Sequence, residues 1–388
     1  MSPSSLKNTT AIAVPETRIE RFWRRISSGV RVYQMWTQFV ADARFSYRLF
    51  AREVDSTRQR GTGRLSHFLN MSNQLFWAIV DKLSPARRVL LLFALVLLFS
   101  TPNFPVKSAN GTIRTITVEG PFWAALLLLG LLILEVTDRI VMKRDLQIAK
   151  EIQSWLLPIV PPRVPGLQID FVTRPANTVA GDYYDIFAYP SSRSSGNDAY
   201  LLAIADVAGK SVPAAMLMAT FQASLKTLAR TSGSLHDLVG LMNSYACGNS
   251  QNGRRFTTTF IAEFDPHTRN LIYVNAGHNP PILYRRSGSV ERLIAGGIPL
   301  GIFDGVTYES DSATLEPGDW LIIFTDGVTE AENQLGDEYG EDRLMTAIEA
   351  NRSLNASAML LTLLRDLDDF VGDTQQRDDV TLMVLKAV

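Results

Sequence analysis

The chain has 388 residues, a formal net charge of −1 and 46% hydrophobic residues. This length allows two or three domains with a sizeable core. The single cysteine, Cys247, excludes an internal disulfide framework and a zinc site built from several cysteines. Residues 1–88 carry a net charge of +9 and the remainder −10. The basic part suggests an anionic membrane surface, whereas the acidic part argues against nucleic acid and suits cations.

The first part of the chain, residues 1–85, is predicted to be a basic, helical region. Arginine and aromatic side chains recur across 18–64 at a spacing that is typical of an amphipathic helix pair, lying on lipid or packed on itself. Residues 86–137 are predicted to form a two-helix transmembrane hairpin, from charge-free runs at 89–106 and 120–134. Both runs are shorter than the roughly 20 residues of a spanning helix, so a hairpin buried in a soluble domain is the alternative.

The basic residues that flank these two runs predict an orientation. Under the positive-inside rule, both ends of the hairpin face the cytoplasm, which places the rest of the protein at the inner face of the cytoplasmic membrane. Residues 138–158 follow as a linker helix with an apolar side, which could pair with a second copy in a homodimer. The prolines at 158, 161 and 162 end that helix.

Residues 159–388 are predicted to form an α+β domain. Short strands follow one another through turns, and longer helices come between groups of strands, which favours antiparallel sheets over repeated βαβ units. The predicted strands cover 167–174, 199–205, 257–265, 270–275, 282–286, 307–314, 320–325 and 380–385. The predicted helices cover 212–230, 235–247, 341–350 and 356–370.

Four aspartates in this domain stand at strand ends or in glycine-flanked turns. They are Asp182, Asp206, Asp326 and Asp378. Carboxylates are costly to bring together without a counterion. Hard divalent cations such as Mg²⁺ and Mn²⁺ resolve that cost, because they prefer carboxylate, carbonyl and water oxygens. One Asp-Gly turn is weak evidence, but four such sites in one domain indicate a metal centre.

The surroundings of these aspartates resemble a known family. The segments at 152–158, 181–185, 206–215 and 257–260 are similar to SpoIIE-like phosphatases, the bacterial branch of the metal-dependent protein phosphatases. The resemblance continues in the same order through 275–281, 299–301, 325–331 and 377–382. It covers about 240 residues, and the combination is specific although no single segment is. Ala180, Ala208 and Ser211 depart from the family's pattern.

The resemblance implies a fold, a cofactor and ligand roles. Two antiparallel sheets would pack as a sandwich flanked by helices, with two Mn or Mg ions at one edge. Asp206 would bridge the ions and the Val207 carbonyl would bind one of them. Asp326 and Asp378 would hold one ion, and Asp182 the other, largely through water. Asp379 is not expected as a ligand, because alternation points it away from its neighbour.

The implied reaction is hydrolysis of phosphoserine or phosphothreonine in a regulatory protein, with a metal-activated water as nucleophile. The family's substrates are often anti-anti-sigma proteins, so such a partner is implied by the resemblance alone. A catalytically inactive docking module in a signalling complex is the alternative function, and the complete set of four aspartates argues against it. His278 is interpreted as a structural hydrogen-bonding residue, with a catalytic acid as the alternative. Asp185 is interpreted as a turn cap, with the ordering of water near the metals as the alternative.

Overall fold

The structure is a computed structural model that describes residues 77, 80, 83–101, 103–107, 113–117, 119–190, 199–250 and 255–388. Contacts divide the chain into two compact units, Met1–Thr137 and Asp138–Val388. The predicted helical region at 1–85 lies outside the described residues except for its last few positions, and it stays a prediction. The predicted domain boundaries also stay predictions.

The first unit contains helix α1 (Pro85–Leu98) and a hairpin of strands β1 (Asn103–Lys107) and β2 (Ile113–Thr117). Helix α2 (Gly120–Leu156) begins in this unit and ends in the second. Proline suits the first turn of α1, because the backbone N–H that it lacks would have no helical partner there. The predicted linker helix at 138–158 is thus the last part of a longer helix.

The predicted transmembrane hairpin at 86–137 is not found. In the part of the chain that the structure describes, no helix combines the length and the apolar character needed to cross a membrane. Helix α1 has 14 residues, which gives it a length of about 21 Å against a hydrocarbon core of about 30 Å. The apolar start of α2 is interrupted at Glu135.

The second unit is built on two β-sheets. One sheet has the order β10 (Gly296–Gly297), β7 (Asn270–Ala276), β6 (Thr257–Asp265), β5 (Ala199–Val207) and β4 (Tyr183–Tyr189), and β11 (Asp311–Thr314) also pairs with β7. The other has the order β3 (Leu167–Arg174), β13 (Val380–Ala387), β12 (Trp320–Phe324), β8 (Ile282–Tyr284) and β9 (Val290–Arg292). All pairings are antiparallel except the short β10–β7 pair.

Apolar side chains from both sheets meet in a central core. Leu202 and Ile204 of β5 and Leu321 and Ile323 of β12 belong to it. Because neighbouring residues of a strand point to opposite faces, the other residues of these strands face helices. The two sheets therefore form the predicted sandwich, and the α+β class is confirmed.

Helices cover the outer faces of the sandwich. The first sheet packs against α3 (Ser211–Leu228) and α4 (Leu235–Asn249) in one outer core. The second sheet packs against α6 (Gly340–Ala350) and α7 (Ala356–Val371) in another, next to the one-turn helix α5 (Asp326–Thr329). The predicted helices agree with α3, α4, α6 and α7 to within two residues at each end.

Several strands differ from the prediction. Strand β4 was not predicted, because five of its seven residues are buried, on both faces, and no alternation of polar and apolar residues marks it. Strands β9 and β10 have only three and two residues. The predicted strand at 307–314 is reduced to Asp311–Thr314, and the one at 282–286 ends at Tyr284.

Candidate metal centre

The pairing of β4 with β5 brings the first two aspartates together. Tyr183 lies opposite Ala205 in this antiparallel pair. Asp182 directly precedes Tyr183 and Asp206 directly follows Ala205, so both stand at the same edge of the first sheet. The Val207 backbone carbonyl is close by, because a Cβ added to Gly181 would lie 3.2 Å from its oxygen.

The pairing of β12 with β13 brings the other two aspartates, Asp326 and Asp378, together. Phe324 lies opposite Leu382, and the Thr325 backbone N–H donates to the Thr381 carbonyl at 3.1 Å. Asp326 follows the end of β12, and Asp378 precedes the start of β13. Gly327 allows this close approach, because a Cβ at this position would lie 2.0 Å from the Asp379 backbone oxygen. Any larger residue would displace the turn that carries Asp326.

The acidic side chains are close enough to repel one another. Burial raises the pKa of Asp206 to about 7, and repulsion from Asp326 and Asp378 adds to the shift. Burial, followed by repulsion from Asp378, also raises the pKa of Asp326. The pKa of Asp182 lies well above its usual range, first through burial and then through repulsion from Asp206. The structure therefore joins all four predicted aspartates in one electrostatic cluster.

Lys210 supplies positive charge to this cluster. Its Nζ donates to Asp378 Oδ2 at 2.8 Å and to the Arg377 carbonyl at 2.9 Å. Burial raises the pKa values of Asp206 and Asp326, and the positive charge of Lys210 partly offsets that rise. Lys210 stands directly before α3, where Gly209 and Ser211 both have positive φ angles.

The donor set fits a hard divalent cation in its chemistry. It offers carboxylate oxygens and a backbone carbonyl, the ligands that Mg²⁺ and Mn²⁺ prefer. A cation would offset the burial and the mutual repulsion that raise the pKa values of Asp206 and Asp326. Among the described residues, no three acidic, histidine or cysteine side chains are already placed to hold one ion.

Asp182 is more deeply buried than a solvent-facing ligand would be. The residue is 1% exposed, and its Oδ2 accepts hydrogen bonds from the hydroxyls of Thr325 and Thr381. These threonines lie at the end of β12 and the start of β13. Asp182 thus links the edge of the first sheet to the two strands of the second sheet that carry Asp326 and Asp378.

Asp379 has a role that the sequence did not reveal. Its two carboxylate oxygens accept hydrogen bonds from the backbone N–H groups of Ala176, at 2.7 Å, and Gly181, at 2.6 Å. Asp379 therefore holds the segment that precedes Asp182. These contacts agree with the expectation that Asp379 points away from Asp378. In the sequence, the only sign of this separate role was that two aspartates stand side by side.

Comparisons with known proteins identify the family. The family model described as Stage II sporulation protein E (SpoIIE) matches residues 196–388. Protein IcfG of Synechocystis sp. is 30% identical over 268 residues, which cover 62% of this chain and 41% of IcfG. Phosphoserine phosphatase RsbU of Bacillus subtilis is 31% identical over 249 residues, which cover 63% of this chain and 70% of RsbU. The chain belongs to the SpoIIE-type phosphatase family.

A solved structure shows the same fold. The SiaA-PP2C domain of Pseudomonas aeruginosa superposes with a TM-score of 0.56 at 20% identity, and the match covers 65% of this chain and 99% of that domain. SpoIIE-type membership supports the predicted enzyme class, a metal-dependent phosphatase, and the shared fold agrees with it. The chain spans less than half the length of IcfG, and its substrate and ligand roles stay predictions.

Two residues beside the family motifs, His278 and Asp185, have partners within the protein. His278 is 4% exposed, and its Nδ1 lies 3.2 Å from the Thr258 hydroxyl, in line with the structural role predicted for it. Burial lowers the pKa of His278 to about 4. The prediction for Asp185 was wrong, because Asp185 lies inside β4, where it is buried and accepts from Tyr183 and Lys226.

Proposed function

We propose that this chain is a protein serine/threonine phosphatase that uses two divalent cations, Mn or Mg, to hydrolyse phosphoserine or phosphothreonine. The observation that carries the proposal is the meeting of Asp206, Asp326 and Asp378 from two different sheets at one edge of the sandwich. Carboxylates gathered in this way without a functional cation would only destabilise the fold. The gathered carboxylates therefore favour a site that binds catalytic cations.

The proposed ligand roles are those that the family resemblance implies, and the placement of the residues supports them. Asp206 would bridge the two ions, with the Val207 carbonyl on one of them. Asp326 and Asp378 would hold the other ion, once Asp378 exchanges its contact with Lys210. Asp182 would serve the first ion through water, while its Oδ2 keeps the hydroxyls of Thr325 and Thr381 in place.

The chemistry divides between the ions and the protein. When bound, the two cations activate a water molecule and neutralise the phosphoryl oxygens. The protein's own residues hold this arrangement rigid, because Asp182 and Asp379 tie three strand ends together. The Lys210 ammonium, 2.8 Å from Asp378, would offset the negative charge around an incoming phosphate.

The proposed substrate is a phosphorylated regulatory protein, such as one of the anti-anti-sigma type. The support is the similarity to RsbU, a phosphoserine phosphatase by name. The centre lies at an open edge of the sandwich, where Asp378 is 44% exposed, so a phosphorylated side chain on a protein surface could reach it. A homodimer formed through the last part of α2 stays a prediction.

The first experiment is hydrolysis of p-nitrophenyl phosphate by the full chain with Mn²⁺, with Mg²⁺ and with EDTA. We expect turnover with a divalent cation and none with EDTA, because the carboxylates alone cannot activate water. A folded protein that shows no turnover with either cation would contradict the proposal. That result would favour the alternative, an inactive docking module.

We also propose that the protein associates with the cytoplasmic face of a membrane through surface contact. The support is the net charge of +9 in residues 1–88 and the exposed apolar side chains of α1 and α2, such as Phe93, Phe122 and Leu132. Such a surface binds anionic lipid by combined electrostatic and apolar contact. We expect the protein to sediment with anionic vesicles but not with neutral ones. Protein that sediments with neither kind of vesicle would overturn this proposal.

A further inference from the structure

Gln153 is a buried polar residue near the end of α2. The residue is 7% exposed. Its Nε2 donates to the Ala180 carbonyl at 2.7 Å, and its Oε1 accepts from the Ala180 backbone N–H at 3.0 Å. The amide thus pairs with both backbone groups of a residue 27 positions away, in the way that a neighbouring strand would.

This double contact is specific to an amide side chain. Among the side chains of this length, only glutamine has a neutral donor and a neutral acceptor that can serve both groups at once. Loss of the amide would leave the buried N–H and carbonyl of Ala180 without partners, which is costly in a buried site. If this position served only to pack α2 against the domain, an apolar residue of the same size would fill the space.

The residue that Gln153 holds is connected to the metal centre on three sides. Ala180 is followed by Gly181, whose N–H donates to Asp379. A Cβ on Gly181 would lie 3.2 Å from the Val207 carbonyl oxygen and 3.2 Å from the Ala214 Cβ, so the segment is tightly enclosed. Asp182 comes next, with its Oδ2 fixed by Thr325 and Thr381. A shift at Ala180 would therefore move two of the proposed ligands, Asp182 and Val207.

We propose that Gln153 is a positioning residue of the metal centre, which sets the place of Asp182 and of the Val207 carbonyl through Ala180. The inference rests on the proposed function, because it concerns the same ions. It assigns a role in metal binding to a side chain on α2, outside the sandwich that carries the ligands. Partners of this kind, one step behind the ligands, typically change metal affinity by about 10–100-fold when removed.

The test compares Gln153→Met with wild type and with Ser154→Ala in the full chain. Methionine keeps the length and volume of glutamine but has no amide. Ser154 is exposed, and its hydroxyl donates to the Glu151 carbonyl of the same helix. We expect Gln153→Met to weaken Mn²⁺ binding, measured by titration calorimetry, by about tenfold or more. Ser154→Ala should bind Mn²⁺ like wild type.

A kinetic measurement separates positioning from packing. We expect the kcat of Gln153→Met at saturating Mn²⁺ to fall while its KM for p-nitrophenyl phosphate changes less than about twofold, because ligand geometry governs the transition state more than substrate binding. Wild-type Mn²⁺ affinity and kcat in a folded Gln153→Met protein would overturn the inference. Should that variant not fold, Gln153→Glu serves instead, since it retains the acceptor for Ala180 but has no donor.

The outcomes distinguish this inference from the proposed function. Wild-type protein that binds Mn²⁺ and hydrolyses p-nitrophenyl phosphate, together with an unaffected Gln153 variant, would remove the inference alone. Wild-type protein without Mn²⁺ binding would remove both.

Discussion

Asp378 and Asp379 are neighbours in the chain, but their carboxylates have different partners. Asp378 contacts Lys210, on the exposed side of the metal centre, whereas Asp379 bonds to the backbone of Ala176 and Gly181. Adjacent residues of an extended segment point in opposite directions, so one carboxylate faces the proposed ions and the other faces the protein. A residue's role at this centre thus follows from its direction as much as from its type.

The substitution Asp326→Asn is expected to abolish cation-dependent hydrolysis while the fold stays intact. Asparagine has nearly the same shape, and the loss of the Asp326 charge removes one source of the repulsion that adds to the burial-raised pKa of Asp206. Activity should fall by more than about 100-fold, beyond the usual effect of residues behind the ligands. Phosphate release measures the activity, and the melting temperature in EDTA checks the fold. Asp373→Asn, at an exposed position, is the control; retained turnover in Asp326→Asn would contradict the two-metal mechanism.

His278 is expected to make stability depend on pH. Its pKa is about 4 in the folded protein because of burial, against about 6.5 in the unfolded chain. Between these values the unfolded state binds the extra proton, so lowering the pH from 6.5 towards 4 reduces the free energy of unfolding, by about 3 kcal/mol for this group in full.

The variant His278→Asn isolates that contribution. Asparagine can still bond to Thr258 but does not titrate. Urea unfolding of both proteins at pH 5 and pH 7 should show a smaller pH effect in the variant. Equal pH effects in the two proteins would show that His278 is not held neutral.

Strand β12 illustrates how an element serves two cores and the site at once. Trp320, Ile322 and Phe324 face the outer core with α6 and α7, whereas Leu321 and Ile323 face the central core. A strand that is buried on both faces has a fixed register, because a slip of one residue would exchange its two faces. Its end, and with it Asp326, is therefore placed reproducibly beside β13.

Helix α7 is expected to depend on its N-cap. The Asn355 side chain accepts from the Ala358 backbone N–H at 2.8 Å, which satisfies one of the free N–H groups at the start of the helix. Asn355→Ala should lower the free energy of unfolding by about 1 kcal/mol, or the melting temperature by about 2–4 °C. Asn355→Asp, another good capping residue, should stay near wild type. Equal losses in both variants would show that the cap is not the cause.

At the scale of the whole molecule, the three hydrophobic cores lie in the second unit. Every described member of these cores lies at or after Leu157. Stability of a domain comes mainly from burial of such apolar surface. The unit Asp138–Val388 thus holds the material for independent folding, together with all the proposed ligands.

Residues 138–388 expressed alone are therefore expected to fold and to keep the cation-dependent hydrolysis of the full chain. A single cooperative transition on heating and a similar rate of p-nitrophenyl phosphate hydrolysis per molecule would agree with this. An unfolded fragment, under conditions where the full chain is folded, would show that residues before Asp138 are needed for folding. A folded but inactive fragment would show that they are needed for activity.

Much of the fold could be predicted because its signals are local. Alternating or continuous apolar runs identify strands such as β3 and β6 with their observed bounds, and the periodic apolar residues of α7 identify its helix. The motifs around Asp206 and Asp326 likewise indicated the site from short segments. The same local signal suggested two spanning helices at 86–137, whereas the structure has the short helix α1, a hairpin and the start of α2 there.

The sequence by itself determined the α+β class, the family and the four aspartates, because composition, periodicity and short motifs are properties of neighbouring residues. Only the tertiary structure decided that Lys210 contacts Asp378, 168 positions away, that Asp182 is a buried link between sheets, and that Gln153 holds Ala180. These contacts depend on how strands pair and helices pack. Strand register and helix packing are set by burial of apolar surface across the whole domain, and no local pattern records them.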